Sequence, residues 1–517
     1  MALRSTLPAC ATLAGLLLVG VLGGSAQPQA AAAAPQTLTI ALDGSVQSLD
    51  PPNTNDHDSY DVENAIFQGL FRLNNSMSPV PVLATGYQMN SGATSLTVEL
   101  RKGVSFSDGT PFNAQAVKIN LDRDSDAKNP VKKSSLFSMI KDVQVVNPYE
   151  VRIDLKYPDA GFISNLAHPS AEMVSPNAIA AYGSQLSSHP VGTGPFEFVS
   201  WQDGLQVTVK ANPHYWGAKS NVGQIRFDFV PQASTRVAML KTGQAQLVTN
   251  LPADLVSSLQ GTSGIMVEHP ESNYVWYVSF NVTIKPFTSV LVRQAIAHAI
   301  NQQVLIRVTQ DGMAAPATSP IAPLTVGYEA QTPYQYSVAT AKQLLSRAGY
   351  PKGFSATMTL NNDANSVEVA QFIQQQLQAI GITLKLEPED PAIVAQQLSE
   401  PQSQNNTAMN LNFWASSTGD ADWGLSPLFT KAAFPPVGFN SQFYTNPKVE
   451  SALAKALTTS NGALRRADYA TAQKQIWQDA PCVFLYVPDN IYAYGHSVSG
   501  ISILASGQLV YGTVHVQ

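Results

Sequence analysis

The chain has 517 residues, of which 44% are hydrophobic and 13% are charged, and its formal net charge is −6. At about 150 residues per domain, this length predicts two to four domains or lobes. Acidic residues outnumber Lys and Arg by 36 to 30, and no basic stripe runs along the chain. A nucleic-acid partner is therefore not expected, because phosphate binding needs clustered positive charge.

The first 26 residues have the layout of a secretory signal peptide. Arg4 gives a basic start, residues 9–22 are almost all apolar, and residues 24–26 (GSA) supply the small side chains of a cleavage site. The apolar run is shorter than the ~20 residues that a membrane-spanning helix needs. We therefore expect residues 1–26 to be a signal peptide and the mature protein to be periplasmic.

The two cysteines, Cys10 and Cys482, cannot pair within the mature chain if this leader is removed. Residues 7–10 (LPAC) superficially resemble a lipid-attachment signal, but the apolar run follows Cys10 instead of preceding it. A lipid-anchored receptor is therefore the less favoured alternative. Cys482 adjoins the apolar run 483–487, which predicts a buried strand and an inert core thiol.

Alternating hydrophobic residues and turn signals predict a sheet-rich first half. Asn113 is expected to cap a helix, and Asn147-Pro148 separates two strands of a hairpin. The predicted strands are 37–42, 96–100, 143–146, 151–155, 196–199, 206–210 and 275–280.

Helical periodicity dominates the second half. One amphipathic helix is predicted over 290–308. Strand 354–360, a helix that Ser366 caps, and strand 382–386 follow one another closely, which is typical of a βαβ crossover. Further helices are predicted at 447–458 and 463–479.

Motifs for catalysis and metal binding are missing from the sequence. It has no G-x-x-x-x-G-K-[ST], H-E-x-x-H, C-x-x-C or G-x-S-x-G. Asp420 and Asp422 could act as paired carboxylates, so a secreted hydrolase that uses them or Cys482 stays an alternative. A turn or binding loop is the favoured interpretation of the two Asp residues, and we expect no enzyme, no cofactor and no metal site.

A glycine-rich turn at Gly192-Thr193-Gly194 could bind an anion, because glycine lets backbone N–H groups approach a ligand closely. It lacks the following helix of a phosphate loop. A hinge or ligand-binding turn is therefore the favoured interpretation.

Several strings in chain order carry a family resemblance. They are 49–52 (LDPP), 67–70 (FQGL), 100–112 (LRKGVSFSDGTPF), 190–196 (PVGTGPF), 212–216 (NPHYW) and 348–354 (AGYPKGF). With them the chain resembles the extracytoplasmic solute-binding proteins of peptide ABC transporters, the dipeptide and oligopeptide type. The strings 281–287 (NVTIKPF), 416–423 (SSTGDADW) and 425–429 (LSPLF) are most similar to the glutathione-binding members of that family.

The resemblance implies an α/β fold of the two-lobed periplasmic-binding-protein (flytrap) type, with an extra mixed α/β subdomain in the first lobe. Lobe I would hold residues 36–283 and 489–517, with the subdomain at 73–192. Lobe II would hold residues 284–488.

The resemblance also implies a monomer that binds a small molecule or peptide, glutathione being favoured, and passes it to ABC permease subunits in the membrane. A nickel complex or haem in the same kind of cleft stays an alternative. The family holds a peptide's amine with an Asp three residues after a Trp, whereas Trp414 is followed at that distance by Ser417. This difference argues against ordinary α-peptides. The candidate ligand-binding residues are Asn55, Asp56, Ser59, Gly192, Thr193, Gly194, Trp276, Trp414, Ser416, Ser417, Thr418, Asp420 and Asp422.

Overall fold

A computed structural model describes residues 36–511 and 513–517. The predicted signal peptide and Cys10 lie outside the described residues. Within the described ranges, no helix combines the length and the hydrophobicity needed to cross a membrane.

The strands are numbered in chain order. They are β1 (Gln36–Leu42), β2 (Phe71–Leu73), β3 (Pro79–Pro81), β4 (Ala84–Met89), β5 (Ser95–Leu100), β6 (Ile140–Asn147), β7 (Glu150–Leu155), β8 (Phe196–Gln202), β9 (Gln206–Ala211), β10 (Val222–Phe229), β11 (Leu247–Val248), β12 (Ile265–Glu268), β13 (Tyr274–Phe280), β14 (Ala314–Pro316), β15 (Phe354–Asn361), β16 (Ile382–Glu389), β17 (Met409–Ala415), β18 (Cys482–Pro488), β19 (Tyr492–Gly495), β20 (Val498–Ser499), β21 (Ser502–Ile503), β22 (Leu509–Val510) and β23 (His515–Val516).

The helices are numbered in the same way. They are α1 (His57–Ile66), α2 (Ala114–Asp124), α3 (Phe162–Asn165), α4 (Pro176–Tyr182), α5 (Ala233–Thr242), α6 (Val290–Ala299), α7 (Gln302–Thr309), α8 (Val338–Arg347), α9 (Ala364–Gln378), α10 (Pro391–Leu398), α11 (Ala421–Phe429), α12 (Pro447–Leu457) and α13 (Gly462–Asp479).

A seven-stranded sheet with the order β12-β19-β11-β1-β10-β9-β8 forms the first large layer. Its strand β1 pairs in parallel with both β10 and β11. Leu38, Ile40 and Leu42 pack into one core cluster, whereas Ala41 packs into another on the opposite face. The last three residues, Ile40 to Leu42, are buried on both faces, and this part of the strand is wholly apolar.

A six-stranded sheet with the order β14-β18-β13-β17-β15-β16 forms the second large layer. Strands β15 and β16 pair in parallel and α9 connects them, which confirms the predicted βαβ crossover. The predicted cap is wrong by three residues, since Asp363 caps α9 by accepting a hydrogen bond from Ser366 N.

A four-stranded antiparallel sheet, β4-β5-β7-β6, forms a smaller unit with α2 packed beside it. The predicted hairpin is present as β6 and β7, and the side chain of Asn113 caps α2 as predicted. Two large mixed layers and this smaller unit confirm the α/β class.

The chain passes between the two large sheets after β12 and again after β18. Strand β13 pairs in the six-stranded sheet, although the expected first lobe runs to residue 283. The lobe limits themselves stay a prediction.

The prediction of a single helix over 290–308 is wrong about its continuity. The segment forms two helices, α6 and α7, because Asn301 is extended and caps α7 by accepting a hydrogen bond from Val304 N. Hydrophobic periodicity continues through this break, so it does not reveal the cap.

Candidate ligand-binding cleft

A cavity of about 380 Å³ lies between segments of the two large layers and the smaller four-stranded unit. This volume is within the ~300–1,000 Å³ range of small-molecule sites. We call this cavity the cleft.

The start of α1 supplies one wall through Asn55, Asp56, His57 and Tyr60. Asp56 is the N-cap of α1, and its Oδ1 accepts a hydrogen bond from Ser59 N at 2.9 Å. Its second carboxylate oxygen makes no hydrogen bond with any described residue. The capping bond therefore fixes a carboxylate at the wall and leaves one oxygen available to a ligand amine.

A lysine pair, Lys132 and Lys133, supplies positive charge to the cleft lining. Lys132 N donates to Asn53 Oδ1 at 3.1 Å, and Lys133 N donates to Pro52 O at 3.0 Å. These two bonds fix the lysine segment against the segment that precedes α1. Burial lowers the pKa of Lys133 to about 8, so this side chain is mostly protonated at pH 7.

Aromatic side chains form the wall on the side of the six-stranded sheet. Trp414 lies 5.1 Å from Phe439 and 6.3 Å from Trp423 between ring centres, and Tyr274 lies 5.6 Å from Phe413. Trp414 Nε1 donates to Trp423 O at 2.9 Å, which fixes the indole. Phe413 and Phe439 are 39% and 56% exposed. Such rings offer flat apolar surface to a ligand's peptide groups.

The remaining wall is neutral and polar. Burial holds the pKa of His168 well below its usual range, and its Nδ1 accepts a hydrogen bond from Ser170 N. Asn273 Oδ1 and Ser506 Oγ also belong to cleft-lining side chains, and neither buried atom has a hydrogen-bond partner within the described ranges. A polar ligand would satisfy them.

Four of the candidate residues line the cleft together. Asn55 and Asp56 come from the start of α1, whereas Trp414 and Ser417 come from the end of β17 and the turn after it. Ser417 therefore occupies the cleft at the position where the family pattern places an Asp.

Ser59 and Trp276 do not line the cleft. Ser59 is fully buried and its Oγ accepts a hydrogen bond from Gln47 N at 2.9 Å. Trp276 stacks on Tyr486 with ring centres 5.7 Å apart. Both side chains stabilise the walls behind the cleft.

The turn at Gly192-Thr193-Gly194 lies away from the cleft and is buried. A Cβ added at Gly192 or Gly194 would lie 2.2 Å or 2.6 Å from Ile66 O at the end of α1. Thr193 Oγ1 donates to Gln68 Oε1 at 3.2 Å. Close packing, not a ligand, accounts for these two glycines.

The acidic candidates also lie behind the cleft wall. Asp420 caps α11, and its carboxylate accepts from Arg465 Nη2 at 2.9 and 3.0 Å and from Tyr469 OH at 2.9 Å. Asp422 accepts from Ser426 Oγ. A ligand amine would have to displace the Arg465 pair to reach Asp420, so the geometry does not support a ligand contact at this candidate residue.

Ser416 and Thr418 belong to the same turn and are buried at 2% and 1% exposure. Ser416 O accepts a hydrogen bond from Asn273 Nδ2, and Thr418 Oγ1 accepts one from Asp420 N. These two residues hold the turn in place and leave Ser417 between them at the cleft.

Several cleft residues escaped the sequence interpretation. Lys132 and Lys133 form an adjacent basic pair, which is the signal that could have found them. Phe413 adjoins the chosen Trp414. His168, Phe439, Ser506 and Gln508 had no local signal, because they reach the cleft only through the tertiary fold.

The nucleophile and metal alternatives find little support in the geometry. Cys482 is buried, and burial raises the pKa of its thiol to about 12, so it carries no thiolate at neutral pH. Over residues 36–511 and 513–517, no group of three or more His, Cys, Asp or Glu side chains is arranged to hold a metal.

A cleft between separately built layers, with opposite charges and aromatic rings on its walls, defines a two-lobed protein that binds a small solute. Comparison with known proteins identifies the family. The chain belongs to the bacterial extracellular solute-binding proteins, family 5, whose middle-region profile matches residues 78–435.

Two relatives match almost the whole chain. The glutathione-binding protein GsiB of Pectobacterium atrosepticum is 39% identical over 470 residues, which are 90% of this chain and 91% of that protein. GsiB of Escherichia coli is 37% identical over 493 residues, 95% of this chain and 96% of that protein.

Solved structures show the same fold. The periplasmic binding protein DppA of Helicobacter pylori, in complex with the peptide STSA, has a TM-score of 0.80 and 29% identity, with 93% of this chain and 98% of that chain covered. HbpA2 of Haemophilus parasuis has a TM-score of 0.82 and 26% identity, with 93% of this chain and 100% of that chain covered. The two-lobed fold is confirmed, and this chain is a solute-binding protein of the peptide-type ABC importers.

Proposed function

We propose that the cleft captures glutathione, or a closely related γ-linked peptide, and that the protein delivers it to the permease of an ABC importer. The observation that carries this proposal is the composition of the cleft: one free carboxylate oxygen on Asp56, two lysines and an aromatic wall. The name of the GsiB relatives supports the same ligand.

The charges of glutathione match this arrangement. The molecule has one amine and two carboxylates, so burial requires one acidic partner and at least one basic partner. Asp56 would accept the amine, and Lys132 and Lys133 would bind the carboxylates. The hydroxyl of Ser417 replaces the acidic group that would hold the amine of an α-peptide.

Capture would be coupled to closure of the lobes. The cleft walls come from different layers, so one ligand touches groups on both sides. Only contacts made in the closed state shift the equilibrium towards closure. Asp56 and the lysines belong to the expected lobe I, so the contacts that would form on closure are those of the bound ligand with Trp414, Ser417 and Phe439 of lobe II.

The remaining parts of the proposal concern location and assembly. We propose that residues 1–26 direct export, that the mature monomer acts in the periplasm, and that it has no enzymatic activity. Membership of an extracellular solute-binding family supports this location. The limits proposed for the lobes are those expected from the sequence.

Calorimetry with an isomeric pair of ligands tests the proposal. Mature protein, stripped of ligand by unfolding and refolding, is titrated with glutathione and with the ordinary α-linked Glu-Cys-Gly, which has the same composition. We expect a Kd near 1 μM for glutathione, or about −8 kcal/mol, and binding at least tenfold weaker for the α-linked isomer. Equal binding of both, or binding of the α-linked isomer alone, would contradict γ-linked selectivity.

A further inference from the structure

A second cavity of about 240 Å³ lies beside the cleft, and its lining includes the segment that follows α1 and strands β2 and β3. It shares only His168 and Gln508 with the cleft lining. Its own polar lining includes Asn64, Arg72, Arg101, Glu172 and Tyr511. We call it the side cavity.

Three side chains around the side cavity have a buried polar atom without a hydrogen-bond partner in the described part of the chain. These atoms are Asn64 Nδ2, Glu172 Oε2 and Tyr511 OH. Glu172 and Tyr511 are only 7% and 1% exposed. Buried polar groups are nearly always satisfied by protein, water or ligand. These three atoms are inaccessible in the present arrangement, so a polar occupant of the cavity would satisfy them by drawing their side chains towards it.

Two arginines give this cavity a positive charge. Arg72 and Arg101 both line it, and neither forms an ion pair with a described carboxylate. Arg101 Nε donates to Val82 O at 3.0 Å, and its guanidinium lies 4.4 Å from the ring centre of Trp216. The position of Arg101 is thus fixed while its charge stays unpaired, which suits an anion.

The acidic residue in the cavity does not cancel this charge. Burial raises the pKa of Glu172 to about 8, so its carboxyl group is mostly protonated at pH 7. A protonated carboxyl donates a hydrogen bond. Asn64 Nδ2 is also a donor, and Tyr511 OH can donate as well. The lining residues therefore include three hydrogen-bond donors besides the two cationic groups.

The apolar part of the lining sets the class of ligand. Phe67, Phe71 and Leu73 also line the side cavity, so a bare inorganic anion would leave carbon surface uncovered. Its volume exceeds the ~150 Å³ that holds benzene in an engineered cavity. It lies below the usual range for larger ligands. A short organic acid with a second acceptor group fits this size and chemistry.

We propose that the side cavity is a second binding site, for a small organic dicarboxylate, separate from the peptide cleft. One carboxylate pairs with Arg72 and Arg101, and the other accepts hydrogen bonds from Asn64, Glu172 and Tyr511. This site does not depend on the identity of the cleft ligand. Its occupant would bind the folded protein and not the unfolded chain, and so stabilise the folded protein.

Titration of the stripped mature protein with succinate and butyrate tests this site. Butyrate has the same number of carbons but lacks the second carboxylate. We expect calorimetric binding of succinate, a higher unfolding temperature in its presence, and at least tenfold weaker binding of butyrate. Absence of succinate binding, or equal binding of both acids, overturns the dicarboxylate site.

Variants locate the binding. Arg72→Gln changes an exposed side chain and should leave the fold intact, which unfolding without ligand checks. We expect it to weaken succinate binding at least tenfold while glutathione binding stays unchanged. Lys102→Gln removes a neighbouring charge that faces Tyr149 and should alter neither. Succinate binding that survives Arg72→Gln, or that glutathione displaces, overturns a separate site.

Discussion

Asp56 has a capping role and a proposed binding role, and one substitution separates them. Asparagine caps helices as well as aspartate does, so Asp56→Asn should keep the bond to Ser59 N and the stability of the protein. It removes the negative charge that would pair with the ligand amine. We expect glutathione affinity to fall at least tenfold in calorimetry, with an unchanged urea midpoint.

A matched cap outside the cleft is the control for Asp56→Asn. Asp363 caps α9 through Ser366 N at 2.9 Å, and Asp363→Asn should change neither affinity nor stability appreciably. Full affinity in Asp56→Asn would show that the ligand amine binds elsewhere.

The lowered pKa of Lys133 leads to a prediction of how ligand binding depends on pH. Burial lowers the pKa of Lys133 to about 8, so the free protein loses this charge as pH rises through that value. Affinity for a carboxylate ligand should be steady below pH 8 and fall above it. S-methylglutathione is the appropriate ligand, because it has no thiol that titrates in the same range.

Two variants show whether Lys133 causes that fall. Lys133→Met should bind more weakly at pH 7 and should lose the part of the pH dependence that Lys133 contributes. Lys128→Met removes an exposed lysine nearby and should behave like the unmodified protein. The lysine assignment is wrong if Lys133→Met keeps the original affinity and pH profile.

The sequence could predict part of the candidate site at this scale. Asn55, Asp56, Trp414 and Ser417 line the cleft, and strand ends and family strings point to the loops that carry them. The pairing of Asp420 with Arg465 could not be predicted, because Arg465 is distant in sequence and only the tertiary fold brings the two together.

At the scale of elements, the turn at Gly192-Thr193-Gly194 can be tested as a packing feature. A methyl group at Gly194 would lie 2.6 Å from backbone atoms of Ile66, and backbone cannot move aside cheaply. Gly194→Ala should therefore lower the free energy of unfolding by about 1–3 kcal/mol. The folded molecules of this variant should bind glutathione with the affinity of the unmodified protein. Calorimetry checks this when the amount of bound ligand is expressed per folded molecule.

Gly462→Ala provides the matched control, since a Cβ at Gly462 meets no atom within 4 Å. It should leave the urea midpoint essentially unchanged. If Gly194→Ala is as stable as the unmodified protein but binds glutathione weakly, the turn contacts the ligand and the packing explanation is wrong.

Elements were predictable where the local pattern decides the structure. The βαβ unit from β15 to β16 combines period-two strands with a helical repeat, and its parallel pairing follows from the crossover. The break between α6 and α7 was missed because both helices keep one apolar face. Asn301 caps the second helix, but an Asn inside a continuing apolar pattern is a weak signal.

At the scale of the whole molecule, the segment after β7 joins the smaller unit to the second large layer. Ala160 N donates to Leu457 O at 3.0 Å, and the next residue, Gly161, lies beside Arg465 and Asp420. Asp159 is buried at this junction with 5% exposure. Burial, then the charges of Asp422 and Asp420, raise the pKa of Asp159 from 3.8 to about 7, although Arg465 and Gly161 N oppose the shift.

This junction makes stability depend on pH in a defined direction. Between pH 3.8 and about 7 the folded protein keeps the Asp159 proton and the unfolded chain does not. The folded state then binds more protons, so its stability falls as pH rises through this window, by at most about 1.4 kcal/mol per pH unit from one group. Other buried carboxyls with raised pKa values, such as Asp61 and Glu63, add to the same trend.

Comparison of the unmodified protein with the variant Asp159→Asn isolates the contribution of Asp159 to the pH dependence of stability. Asp159 Oδ1 accepts a hydrogen bond from Gly161 N at 2.9 Å. The side-chain oxygen of Asp159→Asn can accept the same bond, but the amide does not ionise. Urea unfolding at pH 5 and pH 8 should show a smaller loss of stability in Asp159→Asn than in the unmodified protein. Asp142→Asn, on the exposed face of β6, should keep the full loss. Equal pH dependence of stability in all three proteins would mean that Asp159 is ionised at the junction. The contact between the smaller unit and the second layer would then tolerate a third negative charge beside Asp420 and Asp422.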